Sequence, residues 1–224
     1  MKPTDHNQMQ ECEERRLRGR PRLRPDEETR ALIFEAAQHE FSEKGYAATS
    51  METVARRAGV STKTLYRLIA NKAALFEAMV AHRADRVLSA VNLSACEHQD
   101  IEVALRAALR ICGELALDPE VIALQRMIIG ESDAFPDIAA TFYHTAIRRT
   151  AGALAGFLTL QQKRGRIRLD DPDEAASMLL GMMILEPQRA AWFARKPLPD
   201  RDAIAARAAR CAALFLRGAR TKPA

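Results

Sequence analysis

Aromatic residues make up only 5% of the chain, and long alternations of Val, Ile and Thr are missing. A sheet therefore has few candidate strands, and apolar periodicity of about 3.6 has little competition. The reading is all-α. The four cysteines, Cys12, Cys96, Cys112 and Cys211, are scattered, and none forms a CxxC pair that could join a second pair around zinc. They read as reduced, small hydrophobes. No N-terminal stretch joins a basic start to an apolar run, and no segment approaches about 18 uncharged apolar residues, so a cytoplasmic protein without a membrane partner is expected. Phosphate-binding loops and HExxH are absent too. Gly130-Glu131-Ser132-Asp133-Ala134 lacks the second glycine and the preceding strand of a nucleophile elbow. No enzymatic chemistry, cofactor or metal is expected.

What the chain does have is positive charge in particular places. The net charge is +5 over 224 residues, with 48% hydrophobic residues to fill a core. Arg15, Arg16, Arg18, Arg20, Arg22 and Arg24 follow one another with no acid between them. Arg56, Arg57, Lys63, Arg67 and Lys72 make a second acid-free block. A polyanion is the natural partner of such blocks.

Three segments are expected: a flexible Arg-rich arm over 1–24, a helix-turn-helix unit over 25–72, and a larger helical domain over 73–224. Pro21 and Pro25 argue against a continuous helix in the arm. From Asp26, Ile33, Ala37 and Phe41 recur at helical spacing until Lys44-Gly45 supplies a C-terminal cation and a C′ glycine. Thr49-Ser50-Met51-Glu52 has the form of a capping box and predicts a second helix, striped by Met51, Val54, Ala55 and Ala58. Gly59 permits a tight exit, Val60 is an apolar plug, and Ser61 caps a third helix, Thr62–Ile69. Asn71 caps a fourth, from Lys72 to about Leu93. Further helices are predicted near 100–117, 120–131, 138–164, 173–194 and 200–218, the fourth of these kinked or split at Pro187.

The third helix carries the sharpest signal. At about 100° per residue, Leu65, Leu68 and Ile69 share one arc, while Lys63, Tyr66 and Arg67 lie opposite, with Thr62 and Thr64 at the edges. Lys63 stands in the first turn, where the helix dipole disfavours a cation by a few tenths of a kcal/mol unless an anion lies in front. A helix-turn-helix puts such a helix into the major groove, so Thr62, Lys63, Thr64 and Arg67 are base-reading candidates and Tyr66 a backbone contact. Thr49, Ser50 and Ser61 at the two helix starts, and Lys72 beside the Asn71 cap, complete the expected contacts to double-stranded DNA.

Phe41-Ser42-Glu43-Lys44-Gly45-Tyr46, Val54-Ala55-Arg56-Arg57-Ala58-Gly59-Val60-Ser61, Thr64-Leu65-Tyr66-Arg67 and Asn71-Lys72-Ala73-Ala74-Leu75-Phe76 together resemble the DNA-binding domain of the TetR family of bacterial regulators. The resemblance covers about residues 28–77. Lys63 stands where members commonly have glycine, and Leu68-Ile69 replaces the usual His-Phe. In the arm, Arg18-Gly19-Arg20-Pro21-Arg22 resembles the minor-groove clip called an AT-hook, with Arg20 and Arg22 as its contacts.

The resemblance implies that residues beyond the fourth helix bind a small effector and dimerise. Phe135-Pro136 and the Gly165–Pro172 link are similar to the AefR-like subgroup. Met127, Ile128, Phe142, Tyr143, Met182 and Trp192 are candidates to line an effector pocket for an apolar or amphipathic ligand. Leu179 and Met183, with Ile204, Ala208, Cys211 and Phe215, stripe the final two helices and are candidates for a homodimer interface. The expected function is a ligand-responsive repressor that binds a near-palindromic operator as a dimer. The alternative is an architectural DNA-binding protein with no ligand response.

Overall fold

The computed structural model describes residues 25–97 and 100–219, and among them there is no strand beyond an isolated bridge at Ile167. Among the described residues, eleven α-helices run in the order α1 (Asp26–Ala48), α2 (Met51–Arg57), α3 (Thr62–Leu68), α4 (Lys72–Glu97), α5 (Ile101–Ala116), α6 (Pro119–Glu131), α7 (Pro136–Phe142), α8 (Arg149–Lys163), α9 (Pro172–Leu180), α10 (Glu186–Trp192) and α11 (Arg201–Ala219). Two wider, π-type turns are inserted, Tyr143–Arg148 between α7 and α8, and Gly181–Leu185 between α9 and α10.

Local chemistry sets most boundaries. Asp26, Glu27 and Glu28 place three acids in the first turn of α1, the favourable end of the dipole. The helical path breaks at Gly45, whose φ of 88° and ψ of 165° suit a residue without Cβ. Asp100, Asp118 and Asp171 each cap the helix that follows, their carboxylates accepting backbone N–H bonds. Asn71 Oδ1 accepts from Ala74 N–H at 2.8 Å, the cap expected for α4.

The capping box at α2 is shifted by one residue from its expected place. Ser50, not Thr49, is the cap, and its partner is Thr53 rather than Glu52. The Thr49 hydroxyl instead donates to Gly45 O at 2.7 Å, spanning the break in α1. The expected kink at Pro187 lies in the first turn of α10, just after the second π segment. Proline has no N–H, and its ring clashes with the carbonyl four residues back; widening the turn relieves that clash.

Two apolar clusters hold the helices. The first contains Ile33, Phe41, Val54, Leu65 and Phe76, but also Leu124 and Ile128 of α6 and Ile138 and Phe142 of α7. The core supporting α1–α3 is therefore shared with helices far along the chain. Phe41, Tyr46, Phe76 and Phe135 stack or meet edge to face in it, with centroids 5.2–5.8 Å apart. The second cluster joins the far half of α4 to α5, α8, α9 and α11. Gly113 allows close approach there, since a Cβ would lie 2.5 Å from Met183 Cε.

That second cluster corrects the expected dimer interface. Leu179, Met183, Ile204, Ala208 and Cys211 are buried in the chain's own core, and Phe215 packs half-buried against it. The stripes on the last helices are real, but α11 packs along α5 and so satisfies them internally. Large apolar residues that remain exposed on these elements are Met178 on α9, Met182 and Leu185 on the following π segment, and Leu214 on α11. Cys112 and Cys211 are free and buried; burial pushes the Cys112 thiol up to about 12, so it behaves as an inert hydrophobe.

Candidate nucleic-acid interface and apolar cavity

Helix α3 is held by one fully buried residue, Leu65, with Ile69 buried just past its end and Leu68 half-buried. Thr62, Lys63, Tyr66 and Arg67 are exposed, as the wheel predicts. Lys63 makes no ion pair or hydrogen bond among the described residues. Tyr66 is 47% exposed, and its hydroxyl donates to Glu52 Oε1 at 3.4 Å. Arg67 donates to both carboxylate oxygens of Asp26, at 2.7 and 2.9 Å. This bond holds the Asp26 carboxyl below its ordinary range. Both partners are more than half exposed, so water screens the pair and leaves Arg67 able to exchange partners.

Other expected contacts are committed elsewhere. Ser61 Oγ accepts from Thr64 N–H at 3.0 Å and lies 2.8 Å from the Thr64 hydroxyl, so both side chains serve the cap of α3. Ser50 Oγ does the same for α2. Thr49 is buried, which corrects its expected exposure. Lys72 is a larger correction. Its ammonium donates to the carbonyls of Tyr46 (2.7 Å), Ala47 (3.2 Å) and Thr49 (3.0 Å) and sits 4.5 Å from the Tyr46 ring centre. It closes the frayed end of α1 rather than facing outward. Arg57 is likewise paired with Glu40 at 3.3 Å and Glu43 at 2.7 Å. Arg20 and Arg22 lie outside the described residues.

Behind this unit, α6 is fastened to α1 at both ends. At its start, Glu120 Oε2 accepts from Gln38 Nε2 at 3.0 Å, and Arg83 of α4 bonds Gln38, Asp118 and Glu120 together. At its end, the Glu131 carboxylate accepts from Tyr46 N–H at 3.0 Å and Ala47 N–H at 2.9 Å, across the break at Gly45. Nothing in the periodicity of either helix announces that second contact.

The opposite side of α6 borders a cavity of about 600 Å³, lined by Val121, Leu124, Gln125, Ile128 and Ile129 of α6, by α4 and α7, and by both π segments. Of the six expected pocket residues, Ile128, Phe142, Tyr143 and Trp192 line it. Met127 and Met182 do not: Met127 borders a shallow groove between α1 and α6, and Met182 is exposed. Arg83, Gln125, Thr150 and Gln188 line the cavity and were missed. Gln125 was findable, because it interrupts an apolar stripe of Val121, Leu124 and Ile128.

Comparison with known proteins agrees with this architecture. Residues 33–79 match the family model described as bacterial regulatory proteins, tetR family, and residues 103–218 match the AefR-like transcriptional repressor C-terminal domain. The transcriptional activator FasR of Mycolicibacterium smegmatis is 34% identical over 85 residues, 38% of this chain and 39% of that protein. The chain thus matches about two fifths of that relative's length. A crystal structure assigned to the TetR family, from Mesorhizobium loti, superposes with a TM-score of 0.75 at 28% identity over 88% of this chain and 100% of that one. The flavonoid-responsive regulator FrrA gives 0.66, also at 28% identity, over the same shares.

Proposed function

Because the chain belongs to the TetR family of DNA-binding transcriptional regulators, we propose that it is a repressor that binds a near-palindromic operator as a homodimer and releases it when a small molecule fills the cavity beside α6. One observation carries this reading: α6 lines an apolar cavity on one side and is bonded to α1, the scaffold of the exposed α3 face, on the other. A ligand that prefers one position of α6 necessarily biases the helix-turn-helix as well. Repression, rather than the activation named for FasR, is favoured by the AefR-like repressor domain, which covers residues 103–218. A small-molecule effector is favoured by the cavity and by the flavonoid response in FrrA's name.

The base-reading residues are then Thr62, Lys63 and Arg67, with Tyr66 on the backbone. Residues 25–72 are the DNA-binding unit and 73–224 the effector and dimerisation unit, with α4 shared between their cores. The homodimer forms through the exposed face of Met178, Met182 and Leu185. The protein acts where its DNA is, in the cytoplasm; no helix among the described residues is long and apolar enough to cross a membrane.

Footprinting on the DNA flanking its own gene, followed by titration of Lys63→Ala and Arg67→Ala, tests the assignment. Each substitution is expected to weaken operator binding by about 1–3 kcal/mol. Unchanged affinity in both variants refutes the assignment of α3. An operator complex that no cavity ligand releases would favour the architectural alternative.

A further inference from the structure

The cavity is chemically lopsided. Its walls are mostly aliphatic and aromatic, and among the described residues Arg83 is the one charged side chain lining it. The Arg83 guanidinium is already bonded to Asp118 at 3.1 Å and Glu120 at 3.1 Å. With its charge matched by two carboxylates, Arg83 is not a free counter-ion for an anionic ligand. Such a ligand would meet apolar walls with no counter-ion, which opposes its entry.

Of the other polar residues in the wall, Gln125, Tyr143, Thr150 and Gln188, only Gln125 is buried. Gln125 is only 9% exposed, and Trp192 Nε1–H donates to its Oε1 at 3.0 Å. An indole nitrogen can only donate, so it fixes which end of the amide is oxygen. The Gln125 Nε2 is thereby left as a donor; it has no partner among the described residues and is not fully enclosed. Nearby, Phe142, Tyr143 and Trp192 supply aromatic wall. A buried donor is costly to leave unpaired, so it discriminates for a ligand that carries an acceptor at that point.

We infer that the cavity takes a neutral, largely aromatic ligand through a carbonyl-type oxygen that accepts a hydrogen bond from Gln125, with Trp192 as the residue that orients the amide. This rests on the cavity being the effector site, as proposed above, and adds the ligand class and the residues that select it.

Three probes of nearly one shape separate the effects: benzophenone carries the carbonyl, diphenylmethane replaces it with CH₂, and 4-benzoylbenzoate adds a carboxylate. Binding is read by calorimetry on the full chain. Benzophenone is also photoreactive, so cross-linking followed by peptide mapping locates it independently of affinity. Benzophenone is expected to cross-link to α6, α7 or α10 and to bind about 3- to 10-fold more tightly than diphenylmethane, the ratio one net hydrogen bond supplies. 4-Benzoylbenzoate is expected to bind at least about 10-fold more weakly than benzophenone. Gln125→Leu should abolish the ketone preference while keeping diphenylmethane binding. Trp192→Phe, which frees the amide to flip, should shrink that preference without removing the side chain that makes it. Cross-links outside the cavity, or none, would overturn the cavity reading itself. Cross-links within it together with equal affinity for ketone and hydrocarbon, or with a preference that survives Gln125→Leu, would overturn only the ligand class.

Discussion

At Gly45 the backbone sits at φ 88° and ψ 165°, and an alanine there meets two separate penalties. The first is conformational, because this region is essentially reserved for glycine and costs other residues about 1–3 kcal/mol. The second is a contact: an added Cβ would lie 2.4 Å from Glu131 Oε1. The carboxylate is the far end of a flexible side chain, so it can withdraw. Withdrawal, however, breaks its bonds to Tyr46 and Ala47 N–H. Fully buried bonds to a charged acceptor contribute about 1.5–3 kcal/mol each, but water reaches this site, so about 1–2 kcal/mol for the two together is a fair discount. Gly45→Ala is then expected to destabilise by about 2–5 kcal/mol, and Glu131→Ala, which loses only the second part, by about 1–2 kcal/mol. The double variant can lose those hydrogen bonds only once. Urea denaturation followed by circular dichroism should therefore show a shortfall from additivity of about 1–2 kcal/mol. Additivity of the two variants within about 0.3 kcal/mol would refute the link between Gly45 and Glu131.

Lys72→Met should cost about 1–3 kcal/mol of stability by leaving three carbonyls at the end of α1 without their donor, whereas Lys63→Ala should leave the urea midpoint unchanged; the same denaturation series checks both. Glu40 is buried, and its carboxyl is held below 4.5 first by the hydrogen bond from Lys44, with Thr53 and the Arg57 charge assisting. Its contribution is present above 4.5, the unfolded value, and disappears as pH falls through its lower folded value. Wild type should lose stability over that acid range more steeply than Glu40→Gln, and parallel stability profiles would count against the assignment.

The elements whose causes are local were legible in the sequence. The Asn71 and Ser61 caps, the break at Gly45 and the outward face of α3 all depend on residues within a turn of one another. Thr49 and Ser50 show the limit of local pattern, since either could cap α2, and the choice went to the one whose neighbour Thr53 returns the bond. Lys72 was misread because its charge is visible in sequence while its targets, carbonyls 23–26 residues earlier, are not. The dimer stripe failed for a related reason: an apolar face demands burial, but periodicity does not say whether α5 of the same chain or a second copy supplies it. Of the two π segments, only the one before Pro187 has a marker; Tyr143–Arg148 contains neither proline nor glycine.

The two fastenings of α6 differ in strength, and that difference bears on how the proposed release of DNA would work. At the start of the helix, Arg83 ties Gln38, Asp118 and Glu120 into one network, and Gln38 is buried, so breaking it strands several polar groups at once. At the other end, a single half-exposed carboxylate holds two N–H groups that water can take over. Coupling between ligand and DNA is typically about 1–3 kcal/mol, which is about the size of the Glu131 contact. A ligand pressing on Leu124, Gln125 and Ile128 would thus release the Glu131 end first, with α6 pivoting about its fixed start. Amide exchange at Tyr46 and Ala47 should rise when benzophenone fills the cavity, and Glu131→Ala should show the higher rate already, without ligand. Exchange at those two amides that is unmoved by a ligand cross-linked within the cavity would exclude the pivot while leaving the cavity and the α3 face intact.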